Sequence, residues 1–366
     1  MNRAKYAKSQ YKGKIEEMVK KSIALRTDKE NPTDVSLSVM VKEKFNTTVE
    51  GLLHDLGIDP NFTTIQNMVN LPDLDVRWII PEIIREALLL GLRRGPIYPN
   101  IIASEEQMSG LTAVMPHLNM SDATPRRVGE GETIPLGAIS YGSKTFQIYK
   151  IGRGIKLSYE VIQYASLNVV GLFLRDFGVK MGQGMDVLAI NCLVNGEQGD
   201  GSESAPMVGI ATPNTKIYRD FLRVWIRMAR IGRAPRVILG GEAAALDTLD
   251  LDEFKKRATS DRDAILVMKT PVPASTDYYI HGNISDDQEI ILDPTAAIIK
   301  FNAQPLLVES ERIVSNQTEA FYASTTTGFA KMFRDAAIIM DSSEDFSVDG
   351  FPSWMDVDAA ENVVIE

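Results

Sequence analysis

The residues whose types could do chemistry are few: three histidines, one cysteine, two glycine-acid clusters and a run of spaced arginines. His54, His117 and His281 lie far apart. None has a second ligand three or four residues away, the spacing that sets two ligands on one helix face. Each reads as a structural or surface histidine. A single cysteine, Cys192, excludes an intrachain disulfide framework and a multi-cysteine metal site. It falls in an apolar stripe and reads as a small buried hydrophobe. Gly129-Glu130-Gly131 begins like a dinucleotide fingerprint, but it follows Pro125-Arg126-Arg127 instead of a strand and precedes a strand-like segment instead of a helix. Glu197 with Gly199-Asp200-Gly201 resembles part of a calcium loop, but the ligand spacing is wrong and a helix stop explains the glycines better. There is no nucleophile elbow and no phosphate-binding loop. The expectation is a chain that is not an enzyme, with no catalytic residue, no cofactor and no metal.

Charge points the same way. The net charge of −10 argues against a general nucleic-acid binder. It is unevenly spread. Residues 1–29 hold nine Lys/Arg against three Asp/Glu, and residues 341–366 hold eight Asp/Glu and no Lys or Arg. The two ends either face different surroundings or are two solvated tails. Arg219, Arg223, Arg227 and Arg230 recur along one side of a helix over Ile217–Ile231. Such a stripe invites a nucleic-acid reading; a solvated face or inter-subunit ion pairs suits the net charge better. No run approaches 18 apolar residues, so no transmembrane helix is expected, and the basic start lacks the apolar core of a secretory signal.

The elements that must carry these residues are of mixed type. Ile15, Met18, Val19, Ile23 and Leu25 suggest a short amphipathic helix, and Val49–Leu56 a second helix stopped at Gly57. Residues 27–75 read as an extension tied to the body. Pro81–Leu92 is a predicted helix with proline in its first turn and Ile83, Ile84, Ala87, Leu88 and Leu90 inward. A longer one, roughly Ser166–Leu193, carries Phe173, Phe177, Met181, Met185, Leu188 and Cys192 on one face. Gly171, Gly178, Gly182 and Gly184 within it each cost roughly 1 kcal/mol against Ala, which implies close approach by another element or a bend. Phe221, Leu222, Trp225, Met228 and Ala229 are the inward face of the arginine helix. Arg236–Gly240 reads as a buried strand, and strand signals recur from Tyr278 to Met340. Before the long helix, alternation through Phe146, Ile148, Ile151, Arg153, Ile155 and Leu157 changes phase between Ile148 and Ile151, as a bulge would. The segment reads as a long hairpin turning at Tyr141-Gly142-Ser143. Nothing nearby covers its second face, and a hairpin alone is marginal. The order of elements fits α+β.

Val128-Gly129-Glu130-Gly131-Glu132, a long alternating hairpin, a long helix and then Leu193-Val194-Asn195-Gly196 with Gly199-Asp200-Gly201 together resemble the major capsid proteins of tailed bacteriophages, the Hong Kong 97-type fold. The corner after the helix departs from the family's LLNGDG-like pattern by an insertion. The resemblance covers residues 75–345 and implies an α+β Hong Kong 97-like fold. It implies an N-terminal arm over 1–75, a first part of the peripheral domain over 76–127 and an extended loop over 128–157. The spine helix and peripheral domain follow over 158–210, the axial domain over 211–300, the return over 301–345 and an acidic tail over 346–366. It further implies a homo-oligomer of hexamers and pentamers, an icosahedral shell of a virion assembled in the host cytoplasm. Double-stranded DNA would be bound non-specifically on the inner face. Scaffolding, portal or decoration proteins would be partners, and no membrane. Glu130, Glu132, Tyr141, Lys144, Phe146 and Arg153 are the expected inter-subunit contacts. Lys144 compares with the lysine that some family members cross-link to an asparagine; no matching asparagine is placed, so cross-linking is not expected. The alternatives are an encapsulin shell around cargo enzymes and an α+β enzyme with an unrecognised site.

Overall fold

The computed structural model describes residues 13–27, 35–56, 58–59, 75–108, 112–118, 139–196, 204–253 and 276–351. Three short helices lead: α1 (Lys14–Arg26), α2 (Leu37–Phe45) and α3 (Val49–Asp55). Ser36 and Thr48 cap the second and third, each accepting a backbone N–H from three residues on. Then come α4 (Asp75–Arg94), β1 (Ile102–Gln107), β2 (Thr112–Leu118), β3 (Ile139–Gln147) and β4 (Tyr149–Ser158). Next are α5 (Tyr159–Tyr164), the long α6 (Leu167–Asn195), β5 (Met207–Ile210), α7 (Tyr218–Arg230), β6 (Val237–Gly240) and α8 (Glu242–Leu249). The last strands are β7 (Asp277–Ile280), β8 (Gln288–Leu292), β9 (Ile298–Ile313), β10 (Thr318–Lys331) and β11 (Ala337–Asp345).

The strands form a four-stranded sheet β1-β9-β10-β4, a five-stranded sheet β5-β11-β8-β6-β7 and a separate pair β2-β3. In the five-stranded sheet both faces are covered, and this explains its unbroken apolar runs. Side chains alternate across the pleat. Val237, Leu239, Ile290, Leu292, Ala337 and Ile339 enter one core, which they share with α6. Ile238, Ile291, Ile338 and Met340 enter another, against Phe221, Val224 and Met228 of α7.

Helix α6 runs through two cores. At about 1.5 Å per residue its 29 residues span about 43 Å. Val170, Leu174 and Met181 pack with α4 and with the α1–α3 layer; Met185, Ala189, Ile190, Cys192 and Leu193 pack against the five-stranded sheet. The glycines that look costly in the sequence permit the first of these packings. A Cβ on Gly178 would lie 2.2 Å from the Leu88 carbonyl oxygen, and one on Gly91 would lie 2.0 Å from that of Arg175. A Cβ on Gly182 would make a tight 3.1 Å contact with the Pro96 ring, whereas Gly171 and Gly184 face open space. The helix stops at Gly196, whose φ of 78° suits glycine at a helix end.

Several expectations need correction. Helix α4 starts at Asp75, so Pro81 is interior and not in the first turn, and Gly91 within it is a contact glycine. Leu90 is exposed, as are Ile23 and Leu25 of α1. On α1 the buried side is completed by Ser22 and Arg26. On α6 Phe173 is 71% exposed, and Leu174 beside it takes the inward position. Ala229 of α7 faces out and Val224 faces in. Tyr141-Gly142-Ser143 is not a turn but part of strand β3, whose antiparallel partner is β2. The phase change at Ile148 is where the chain leaves that pair and enters the four-stranded sheet, with β4 in unbroken register along β10. The glycine stop at Gly57 and the Glu197–Gly201 corner lie outside the described residues.

Candidate functional site

Among the described residues, the candidate site is the region around β2, β3, α5 and the start of α6. Among the described residues, strands β2 and β3 pair only with each other, from Thr112↔Gln147 to Leu118↔Ile139. A register shift between Val114 and Pro116 marks a bulge, which suits a proline that cannot donate to a ladder. From there Ile148, itself buried, joins β3 to β4, so the pair is rooted in the four-stranded sheet. Beside that root, Ser158 caps α5 through the Val161 N–H. Helices α5 and α6 then present Val161, Tyr164, Val169, Leu172 and Phe173 to solvent; Tyr164 is 76% and Leu172 63% exposed. Val161 and Tyr164 are three residues apart on α5, and Val169 is three and four residues from Leu172 and Phe173 on α6, the spacings that set side chains on one helix face.

The opposite end of α6 is finished internally. Asp186 is buried, and its Oδ1 accepts the backbone N–H groups of Ile97 at 2.9 Å and Tyr98 at 2.7 Å. Burial pushes its carboxyl above the ordinary aspartate range, against the two N–H donors that favour the charge. Tyr98 in turn lies edge-on to Phe329. The turn after α4 is thereby tied to the middle of α6, and α6 to β10.

The sequence of residues 142–353 matches the phage capsid protein family, more than half of the chain. The chain belongs to that family. Among solved structures, this capsid protein is similar to the virus-like particle of Pyrococcus furiosus, with 13% identity, a TM-score of 0.47, and coverage of 70% of this chain and 97% of that one. It is also similar to a structure from Gordonia phage Cozz, with 15% identity, a TM-score of 0.47, and coverage of 68% and 86%. The capsid of an empty GTA particle compares at 12% identity, a TM-score of 0.47, and coverage of 68% and 90%. No curated protein matches the sequence. The α+β class and the capsid family read from the sequence both stand.

The residues proposed from the sequence as contacts fall as follows. Tyr141, Lys144 and Phe146 are on β3, with Tyr141 opposite Pro116 and Phe146 opposite Ala113. Arg153 is exposed on β4, opposite Ala323. Glu130 and Glu132 lie outside the described residues, as does the Gly129–Gly131 segment. Of the histidines, His54 is exposed and His281 accepts the Asn283 N–H on Nδ1 at 3.1 Å; His117 is in β2. Cys192 is buried, its Sγ 3.5 Å from the Phe329 carbonyl. Among the described residues no helix is long and apolar enough to cross a membrane, and no group of three or more His, Cys, Asp or Glu side chains could hold a metal ion.

Two polar clusters escaped the sequence reading because their members sit far apart in the chain. Glu289 on β8 pairs with Lys216 at 3.0 Å and accepts from Thr248 at 2.5 Å and from Tyr278 at 2.6 Å. With the Lys216 and Glu289 side chains 1% and 0% exposed, no substrate reaches them, and the cluster joins α8, β7 and β8. Burial, and then the Glu289 carboxylate, pushes the Tyr278 hydroxyl well above its ordinary range. The second cluster latches the N-terminal layer to the body. Arg26 makes a two-pronged pair with Glu82, at 2.6 and 2.8 Å, and Arg85 donates to the Leu306 carbonyl at 3.1 Å.

Proposed function

We propose that this capsid protein builds the hexamers and pentamers of an icosahedral phage head assembled in the host cytoplasm around double-stranded DNA, and that its role is mechanical and not catalytic. The observation that carries this reading is the β2–β3 pair. A two-stranded sheet is marginal in water by itself, and among the described residues no ladder joins this one to either larger sheet. A neighbouring subunit supplies the missing cover. In that reading the extended loop of residues 128–157 is an arm whose strand β3 pairs with the preceding β2, and Glu130, Glu132, Tyr141, Lys144, Phe146 and Arg153 are its contacts. The α1–α3 layer is an N-terminal extension, α6 is the spine, and the five-stranded sheet with α7 and α8 holds the axial part of residues 211–300. Repetition of one modest contact around closed symmetry makes a stable particle.

Negative-stain microscopy of the purified full chain tests the reading. Closed shells of uniform size that hold genome-length DNA when formed during infection are expected. Monomers or small oligomers at every concentration and salt would overturn it, and shells loaded with an enzyme instead of DNA would shift it to a cargo compartment. The arm has its own test. Residues 112–147 are replaced by a short Gly/Ser linker; the expected outcome is a folded subunit, by circular dichroism, that closes no shells. Shell closure by that variant would remove the arm from the mechanism.

A further inference from the structure

The arginine stripe of α7 is partly occupied by residues 346–351 of the same chain. After β11 the chain turns: Val348 donates its N–H to the Asp345 carbonyl at 3.1 Å, and the Asp345 carboxylate accepts the Ser347 N–H at 2.8 Å. It then returns along β5. Gly209 donates to the Val348 carbonyl and Gly350 to the Met207 carbonyl, both at 2.9 Å, which sets Asp349 antiparallel to Val208. Asp349 lies 3.2 Å from Arg223 and 4.0 Å from Arg227. The Arg223 guanidinium lies 4.0 Å from the Phe346 ring centre and 5.3 Å from that of Phe351, and the Arg227 guanidinium lies 4.3 Å from that of Phe351.

This strap fits the arginines incompletely. Asp349 is shared between two guanidiniums, and the Arg223 Nη1 is buried with no hydrogen-bond partner among the described residues. An unused buried donor is a cost that a ligand with more acceptor oxygens removes. The hold on the strap is also light. Asp349 and Phe346 are 40% and 44% exposed, and ion pairs and cation–ring contacts open to water contribute little each. Within residues 346–351 Phe351 alone is buried. The ends of the stripe, Arg219 and Arg230, are exposed. From Arg219 to Arg230 the helix rises by about 16 Å, a length in which a DNA duplex presents about ten phosphates.

We infer that residues 346–351 are an autoinhibitory strap over an anion-binding face of α7, and that the polymer this face takes when the strap lifts is double-stranded DNA. Closed, the strap withholds Arg223 and Arg227 and leaves Arg219 and Arg230 as the exposed part of the stripe. Open, the helix presents four arginines in line to a run of phosphates, whose oxygens replace the Asp349 carboxylate and reach the Arg223 Nη1. The competition is between a few weak contacts of a short strap and the many phosphates of a polymer. The identity of the polymer rests on the reading of the chain as a DNA-enclosing shell; the strap and the stripe do not.

Binding of a labelled DNA duplex to the purified full chain tests this whether or not shells close, since closure is read separately by microscopy. Phe351→Ser removes the buried anchor of the strap without changing its charge. It is expected to tighten duplex binding at least about ten-fold, and to steepen the slope of log affinity against log salt by about two, one for each arginine released. Phe346→Ser, at an exposed position, is expected to act in the same direction and less strongly. Circular dichroism checks that each variant folds, and the milder one keeps the test open if Phe351→Ser does not. Adding Arg223→Ala and Arg227→Ala to the released chain is expected to abolish the gain. Unchanged affinity and slope in whichever of the two phenylalanine variants fold would overturn the inference, as would a gain that survives the loss of both arginines.

Discussion

The two halves of helix α6 are made from similar residues and have different fates. Beyond Met181 the helix is held mainly by its own chain: Met185, Ala189, Ile190 and Leu193 meet the five-stranded sheet, Asp186 takes two backbone N–H groups, and of its apolar residues Val187 alone is exposed, at 38%. Before Met181 only one side is enclosed. Val170 and Leu174 pack inward while Val169, Leu172 and Phe173 stay in water. A monomer that needed only to fold would bury both sides or make the outer side polar. The difference separates the part of the helix that holds the subunit together from the part that, in the proposed reading, a neighbouring subunit completes.

That comparison breaks most severely at its closed end. Lys216→Met leaves the Glu289 carboxylate buried without its counter-ion. Removing one partner of such a pair costs about 3–5 kcal/mol, so denaturant unfolding should show a loss of that size. A loss below about 1 kcal/mol would mean that the cluster is open to water. At the middle of the helix, Gly178→Ala places a methyl group against the Leu88 backbone, which cannot rotate away as a side chain could. Overpacking of this kind costs about 1–3 kcal/mol, and the loss should be largely relieved in no single side-chain truncation nearby. An unchanged melting temperature would show that α4 and α6 slide apart freely.

The open end should respond in the reverse sense. Leu172→Ser with Phe173→Ser removes exposed apolar surface and should alter subunit stability by no more than about 0.5 kcal/mol. Shell yield, read by sedimentation, should fall sharply. A double variant that assembles normally would make the exposed face incidental.

Sequence patterning reached the closed parts more readily than the open ones. The apolar runs of β6, β8 and β11 are visible because both faces of that sheet are buried, and the 3.6-residue stripe finds α6 nearly to the residue. Phe173 was misplaced because a large apolar residue beside a stripe reads as part of it, and periodicity cannot say which of two neighbours faces in. The β2–β3 pairing was hidden for another reason. The β3 sequence continues straight into β4 without a break in strand character, while its true partner precedes it by more than twenty residues and contains Pro116. Arg26 and Glu82 carry no signal in the sequence; they lie 56 positions apart, and only the fold brings them together as a buried pair. The arginine stripe was legible, but Asp349 and Phe351, which occupy it, lie more than a hundred residues on.

The smallest effect is at Asp186, and it distinguishes packing from charge at the boundary between the two halves. Its carboxyl is held above the ordinary aspartate value by burial. The folded state therefore binds a proton more tightly than the unfolded state does, and stability falls as pH rises from the unfolded value through the raised folded value. Asp186→Asn keeps an oxygen at the position that accepts from Ile97 and Tyr98 but carries no titrating charge. The variant should therefore lose that part of the pH dependence, and unfolding midpoints measured from pH 4 to pH 7 should slope less steeply downward than in the unaltered chain. The same slope in both would place the descending stability elsewhere. A variant destabilised equally at every pH would show that the geometry of the two N–H bonds, and not the charge, is what joins the turn after α4 to the spine.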